Sequence, residues 1–166
     1  MALRIELLEA RHGRAAFDCG NDALNDFLRL RAGQLQRRGF GKTYVMLADN
    51  GMDVIGFVTV SVGQVEAQAL PLRLKLPRHP VPMLRIGRLA VDKQAQGRGI
   101  GQDLLAFALR LALEFAERVG LYAVVVDAKD VQAAEFYRRL HFEPTLDNAL
   151  CLFLPLSRLA KARVVP

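Results

Sequence analysis

The chain of 166 residues has no tryptophan, only two cysteines and only three histidines. Cys19 and Cys151 do not make a disulfide framework. His12, His79 and His141 stand isolated in sequence and show no metal-ligand spacing, so no metal is expected. No apolar run approaches the roughly 20 residues that a membrane helix needs. The longest candidate, 104–116, is interrupted by Arg110 and Glu114. Arg4, Glu6 and Glu9 break up the start of the chain, which excludes the apolar core of a secretory leader and leads us to expect a cytoplasmic protein with no membrane association. Acid is in short supply too, with 17 Asp and Glu against 23 Lys and Arg.

What is present suffices for a core. Hydrophobic residues make up 52% of the chain and charged residues 24%, values of a folded domain rather than a disordered segment. We find no repeat, low-complexity segment or long linker, and expect one domain over 1–166. The net charge of +6 is unevenly spread. Residues 27–48 contain Arg29, Arg31, Arg37, Arg38 and Lys42 without an acid; residues 67–91 contain Arg73, Lys75, Arg78, Arg85 and Arg88, again without one. Such focusing suits a polyanionic partner. It equally suits a solvated basic face, and charge alone leaves both readings open.

Local chemistry predicts an α/β order. Asn21-Asp22 can cap a helix over about 23–38, with Leu24, Phe27, Leu28 and Leu35 on its apolar side and Gly39 and Gly41 ending it. Residues 43–48 and 54–62 read as a hairpin around Asn50-Gly51. Residues 70–82, with four prolines, read as an irregular loop, and 83–91 as a strand. A helix over 102–119, a buried strand over 123–128, a helix over 132–140 and a strand over 150–154 follow, forming a mixed sheet flanked by helices.

The most informative stretch is Gln96-Gly97-Arg98-Gly99-Ile100-Gly101, between the end of a strand and the start of a long helix. Glycines let backbone N–H groups approach an anion, and a helix N-terminus adds partial positive charge. Arg98 adds a charged donor. No Lys-Ser or Lys-Thr follows, which excludes a P-loop, and the stretch does not follow a first strand as a dinucleotide turn would.

In this order the residues resemble the GNAT acetyltransferases. Gln96–Gly101 matches their Gln/Arg-x-x-Gly-x-Gly/Ala signature, Leu89-Ala90-Val91 their strand before it, and Ala134 through Phe142 their A-x-x-F-Y-x-x-x-G-F segment, with His141 in place of the glycine and the alanine either one residue closer or at Ala133. The opening Phe17-Asp18-Cys19-Gly20 and Leu24-Asn25-Asp26-Phe27-Leu28, with Leu70-Pro71 and Leu76 through Pro82, resembles the GNAT toxins of type II toxin–antitoxin modules, although Asn25 stands where they commonly have Asp. The resemblance implies the GNAT fold and acetyl-coenzyme A as co-substrate, held by Leu89, Ala90, Val91, Gln96, Gly97, Arg98, Gly99, Ile100 and Gly101. It implies acetylation of the α-amino group of aminoacyl-tRNA, a ribbon–helix–helix antitoxin as partner, and a homodimer.

The chemistry fits those expectations. An α-amino group has a pKa of about 8, so enough is neutral at pH 7 for a dedicated base to be optional. A backbone N–H near Leu89 to Val91 is the family-like donor to the developing oxyanion. Tyr137, by its place in the Phe-Tyr motif, is the expected acid for the departing thiolate. With a phenol near 10 and a thiol near 8.5, full proton transfer is uphill by about 2 kcal/mol, so Tyr137 acts first as a hydrogen-bond donor or is helped by the proton released by the amine. Arg78, Arg85 and Arg88 are candidate RNA contacts, Asp127 a candidate helix cap, and Cys19 and Cys151 structural thiols. Two alternatives compete: acetylation of a small or protein amine, and a non-catalytic acetyl-coenzyme A-binding partner of an antitoxin.

Overall fold

A computed structural model describes residues 4–162. The strand order of the mixed seven-stranded sheet is β1-β2-β3-β4-β5-β7-β6, and the chain divides into two compact units. The first takes the residues up to Ser61 together with Gly87–Ala108; the second takes Val62–Ile86 and the chain from Leu109 onward.

In the first unit, β1 (Ile5–Leu7) pairs antiparallel with β2 (Lys42–Leu47), and β2 with the first part of β3 (Val54–Val65). The Asn50-Gly51 turn is as expected: Asn50 Oδ1 accepts from the Met52 and Asp53 amides at 2.9 and 3.0 Å. β1 escapes sequence reading because three residues interrupted by Glu6 carry no periodicity. The first helix starts where its cap predicts, Asn21 Oδ1 accepting from Leu24 N at 3.0 Å. It is not one helix, however. α1 (Asp22–Asp26) widens into a π turn over Phe27–Arg31 before α2 (Ala32–Arg37). Leu8, Phe17, Phe27, Leu28, Val45, Phe57 and Ala90 are buried together, and Phe57 stacks on Phe27.

The second unit holds the first part of β4 (Val81–Val91), parallel to β5 (Ala123–Asp127), which in turn is antiparallel to β7 (Cys151–Pro155). β5 is buried from Ala123 to Val126, as its unbroken β-branched run requires. Helix α3 (Ile100–Ala116) begins two residues earlier than expected, and α4 (Val131–Arg139) one earlier. The proline-rich segment holds two short 3₁₀ turns, Ala67–Ala69 and Leu72–Leu74, and β4 starts at Val81, taking in Pro82. Pro82 is tolerated because its carbonyl is what the segment leading into β5 uses, accepting from Tyr122 N at 2.9 Å. The two-residue β6 (Glu143–Pro144) and the helix α5 (Leu156–Ala162) complete the described chain. Leu70, Val81, Met83, Ala123, Val125 and Phe153 form this unit's core.

Candidate active site

The glycine turn lies in the first unit and is built from both sides. Asp92 closes β4: its Oδ1 accepts from Gln94 N at 2.9 Å and starts the 3₁₀ turn Lys93–Ala95, while its Oδ2 accepts from Asp18 N at 3.0 Å. Gln96 does not reach outward. Its Nε2 donates to Val91 O at 3.0 Å, tying the turn back to the strand it leaves. Gly97 and Gly99 follow with φ of +83° and +77°, and nothing lies within 4 Å of where a Cβ would stand on either. Their requirement is therefore conformational, since L side chains are strained at such φ while the space is open. Gln96, Gly97, Arg98 and Gly99 are all exposed. α3 starts at Ile100, and its first intrahelical bond runs from Asp103 N to Gly99 O at 3.1 Å. The N–H groups of the preceding turn have no intrahelical acceptor by the geometry of a helix start. An open, glycine-shaped turn with Arg98 beside it fits a pyrophosphate. Leu89 and Val91 are half-buried and Ala90 is buried, as alternation along β4 requires.

Asn25 belongs to the scaffold of the same unit. It is 2% exposed; its Oδ1 accepts from Cys19 N at 2.9 Å and its Nδ2 donates to Asp18 Oδ1 at 3.0 Å. An aspartate there would face the Asp18 carboxylate, so the amide is the residue this site calls for. Asp18 also accepts from Gly20 N at 2.9 Å and pairs with Lys93 at 3.1 Å. The Gly20 amide first, then Asn25 and Lys93, hold its carboxyl down at about 2. Cys19 is buried within this network, a structural thiol.

Tyr137 lies in the second unit, in α4. The residue is 5% exposed, and its ring meets Phe136 and Phe142 edge-on, with ring centres 5.1 and 5.7 Å apart. Its hydroxyl has no hydrogen bond among the described residues, and no fully buried side-chain oxygen there lacks a partner. The oxygen therefore opens to the surface while the ring is packed. Burial, and secondarily the negative charge of Asp127, push the phenol above its ordinary pKa. It stays protonated across the physiological range, a donor and not a base.

Asp127 does not cap α4. That role belongs to Asp130, whose Oδ1 accepts from Ala133 N at 2.8 Å. Asp127 instead binds Arg85 Nη1 at 2.6 Å, a pairing across neighbouring strands that no sequence spacing announces. Of the three basic residues expected at RNA, Arg85 is thus engaged by an acid, and the Arg88 guanidinium lies 3.8 Å from the centre of the Phe27 ring. Arg78 is exposed on the proline-rich segment. Arg73 pairs with Glu143. Cys151 is half-buried, and burial first, then Asp127, raise its thiol pKa, which keeps it unreactive.

The family model of the acetyltransferase (GNAT) domain matches residues 35–144. The tRNA-acetylating toxin of Mycobacterium tuberculosis is 35% identical over 141 residues, 84% of this chain and 83% of that protein. Among solved structures, AtaT complexed with acetyl-methionyl-tRNAfMet superposes with a TM-score of 0.90 at 29% identity, covering 98% of this chain and all of that one. A Tyr-to-Phe variant of AtaT bound to acetyl-coenzyme A and the C-terminus of the antitoxin AtaR gives 0.85 at 28% identity, with 98% of each chain covered. With the glycine turn, the strand before it and the Phe-Tyr helix all formed where the motifs lie, the chain belongs to the GNAT acetyltransferase family.

Proposed function

We propose that this chain is an acetyl-coenzyme A-dependent N-acetyltransferase whose acceptor is the α-amino group of aminoacyl-tRNA, so that it blocks translation as the toxin of a toxin–antitoxin pair. The observation that carries this reading is the likeness, over 98% of the chain, to a protein solved with acetyl-methionyl-tRNA. The acid-free segment 67–91 supports a polyanionic acceptor over a small cationic amine. The whole chain acts as one acetyltransferase domain in the cytoplasm, as a homodimer, restrained by an antitoxin of the ribbon–helix–helix kind.

Bound acetyl-coenzyme A supplies the acetyl group as a thioester. The backbone of Gln96–Gly101 and the Arg98 guanidinium hold its pyrophosphate, while a backbone N–H of Leu89, Ala90 or Val91 stabilises the oxyanion. The amine attacks in its neutral form, and Tyr137 offers its proton to the departing sulfur. Arg78 contacts RNA as an exposed cation; Arg85 and Arg88 do so while sharing their charge with Asp127 and the Phe27 ring.

Labelled acetyl-coenzyme A incubated with bulk charged tRNA tests this directly. Label should enter only charged tRNA and leave with the amino acid on mild alkaline release. Equal labelling of uncharged tRNA, or no labelling by protein that binds coenzyme A, would reject the acceptor.

A further inference from the structure

We propose that Arg14, Arg29 and Arg37 form a pocket for a backbone phosphate of the RNA acceptor, at the π turn of the first unit and separate from the glycine turn. The inference rests on RNA being the acceptor, and it names a contact that neither the motifs nor the comparisons assign. The pocket has a volume of about 260 Å³ and is lined by Arg14, Arg29, Leu30, Gly33, Gln34 and Arg37. That is several times the roughly 30 Å³ share of a water molecule, room for a phosphodiester group. Its lining has three cations and no acid.

Two of the cations, Arg14 and Arg29, are held in place by the backbone. Within the π turn the Ala32 amide donates to Phe27 O, five residues back. This leaves Leu28 O open to another donor, and Arg14 Nη1 takes it at 3.2 Å. Arg29 donates to Asn25 O at 3.4 Å and to Ala15 O at 3.5 Å. Neutral carbonyls orient these guanidiniums without cancelling their charge. A Cβ on Gly33 would stand 3.3 Å from Arg37 Nη1 and 3.7 Å from Arg14 Nη1, so two guanidiniums converge on one point. None of the three arginines has an ion-pair partner among the described residues. Like charges gathered without an anion repel, and an anion between them turns that repulsion into binding.

The guanidinium fork suits phosphate. A phosphodiester is favoured over an acidic peptide because the acceptor proposed above is an RNA, whose backbone brings one such anion with every nucleotide. Arg31, Arg38 and Lys42 continue the same acid-free run, and all three are exposed. Arg38 also lies against the exposed Phe40 ring, 5.2 Å from its centre. A repeating polyanion can follow such a run.

Arg37 is the residue to change, because it makes no hydrogen bond among the described residues and its loss leaves the backbone contacts of Arg14 and Arg29 intact. Binding of uncharged bulk tRNA is measured across a salt series for the full chain, Arg37→Glu and Arg37→Lys, with circular dichroism to verify folding. Losing one phosphate contact should lower the slope of log K against log salt by about 0.7–0.9. Arg37→Glu should show that loss, and Arg37→Lys should restore most of the slope. In acetyl transfer, the Michaelis constant for charged tRNA should rise several-fold in Arg37→Glu, with that for acetyl-coenzyme A unchanged. An unchanged salt slope in folded Arg37→Glu overturns the pocket. So does a matching rise in the acetyl-coenzyme A constant, which would assign the anion to the co-substrate. So does weakened antitoxin binding with tRNA binding intact, which would assign the pocket to an acidic protein. Wild-type protein that binds tRNA but leaves charged tRNA unacetylated would instead reject the acceptor, with the binding test still valid.

Discussion

Tyr137 combines a packed ring with an open hydroxyl, and these separate its two contributions. The ring fills space between Phe136 and Phe142, which phenylalanine would fill equally well. The hydroxyl has no partner among the described residues to strand, so its removal leaves no buried orphan. Tyr137→Phe should therefore fold and bind acetyl-coenzyme A as the parent does, while turnover falls by about 100-fold, the lower end for loss of a general acid. Single-turnover acetyl transfer beside coenzyme A binding checks this; parental turnover in the folded variant would reduce Tyr137 to packing. The role proposed for it rests, in the sequence, on the motif alone, because nothing in periodicity distinguishes a donor from a core aromatic. Arg85 and Asp127 show the opposite case. They stand 42 residues apart, and only the parallel pairing of β4 with β5 brings them to 2.6 Å.

At the scale of elements, the Phe-Tyr segment is the end of a helix. α4 stops in a Schellman arrangement: Phe142 N donates to Tyr137 O at 3.1 Å, and His141 N to Arg138 O at 3.0 Å. The apolar contact that accompanies this motif is the Tyr137–Phe142 ring pair. The residue between them must be left-handed, and His141 has φ of +75°. This explains why the family pattern has glycine there, and what histidine costs. His141→Gly should raise stability by about 0.5–1 kcal/mol, the αL strain relieved less the extra chain entropy of glycine. That corresponds to roughly 2 °C in a thermal melt of a chain this size. A lower melting temperature would mean that the imidazole makes a compensating contact. The Asn21 cap of α1 was legible because its signals occupy consecutive residues. The π turn was not: Leu24, Phe27, Leu28 and Leu35 satisfy a regular helix equally well. The partner of the Leu28 carbonyl, Arg14, is 14 residues away in a segment without periodicity.

At the scale of the whole molecule, the two carboxyl groups held down at about 2 both belong to the first unit. Glu6 is lowered by Arg4 first and then by His12 and Arg11; Asp18 is lowered by the Gly20 amide, then Asn25 and Lys93. A carboxylate whose folded pKa lies below its unfolded value stabilises the fold above the unfolded pKa of about 4 and loses that contribution as pH falls toward the folded value. The contribution should be complete at neutral pH and disappear between about pH 4 and pH 2. Glu6 fastens β1 to the segment carrying Arg11 and His12, and Asp18 fastens the segment before α1 to Lys93 beside β4, so acid weakens these joints specifically. Hydrogen-exchange protection in β1 and β2 should fall across that window more than in β5 and β7, because the partners of Glu6 and Asp18 all lie in the first unit. Asp18→Asn should flatten part of the fall, because the amide still accepts from Gly20 but has no charge to lose. If β5 and β7 lose protection in step with β1 and β2, the chain unfolds in acid as a single cooperative body, and these two networks do not set where it begins.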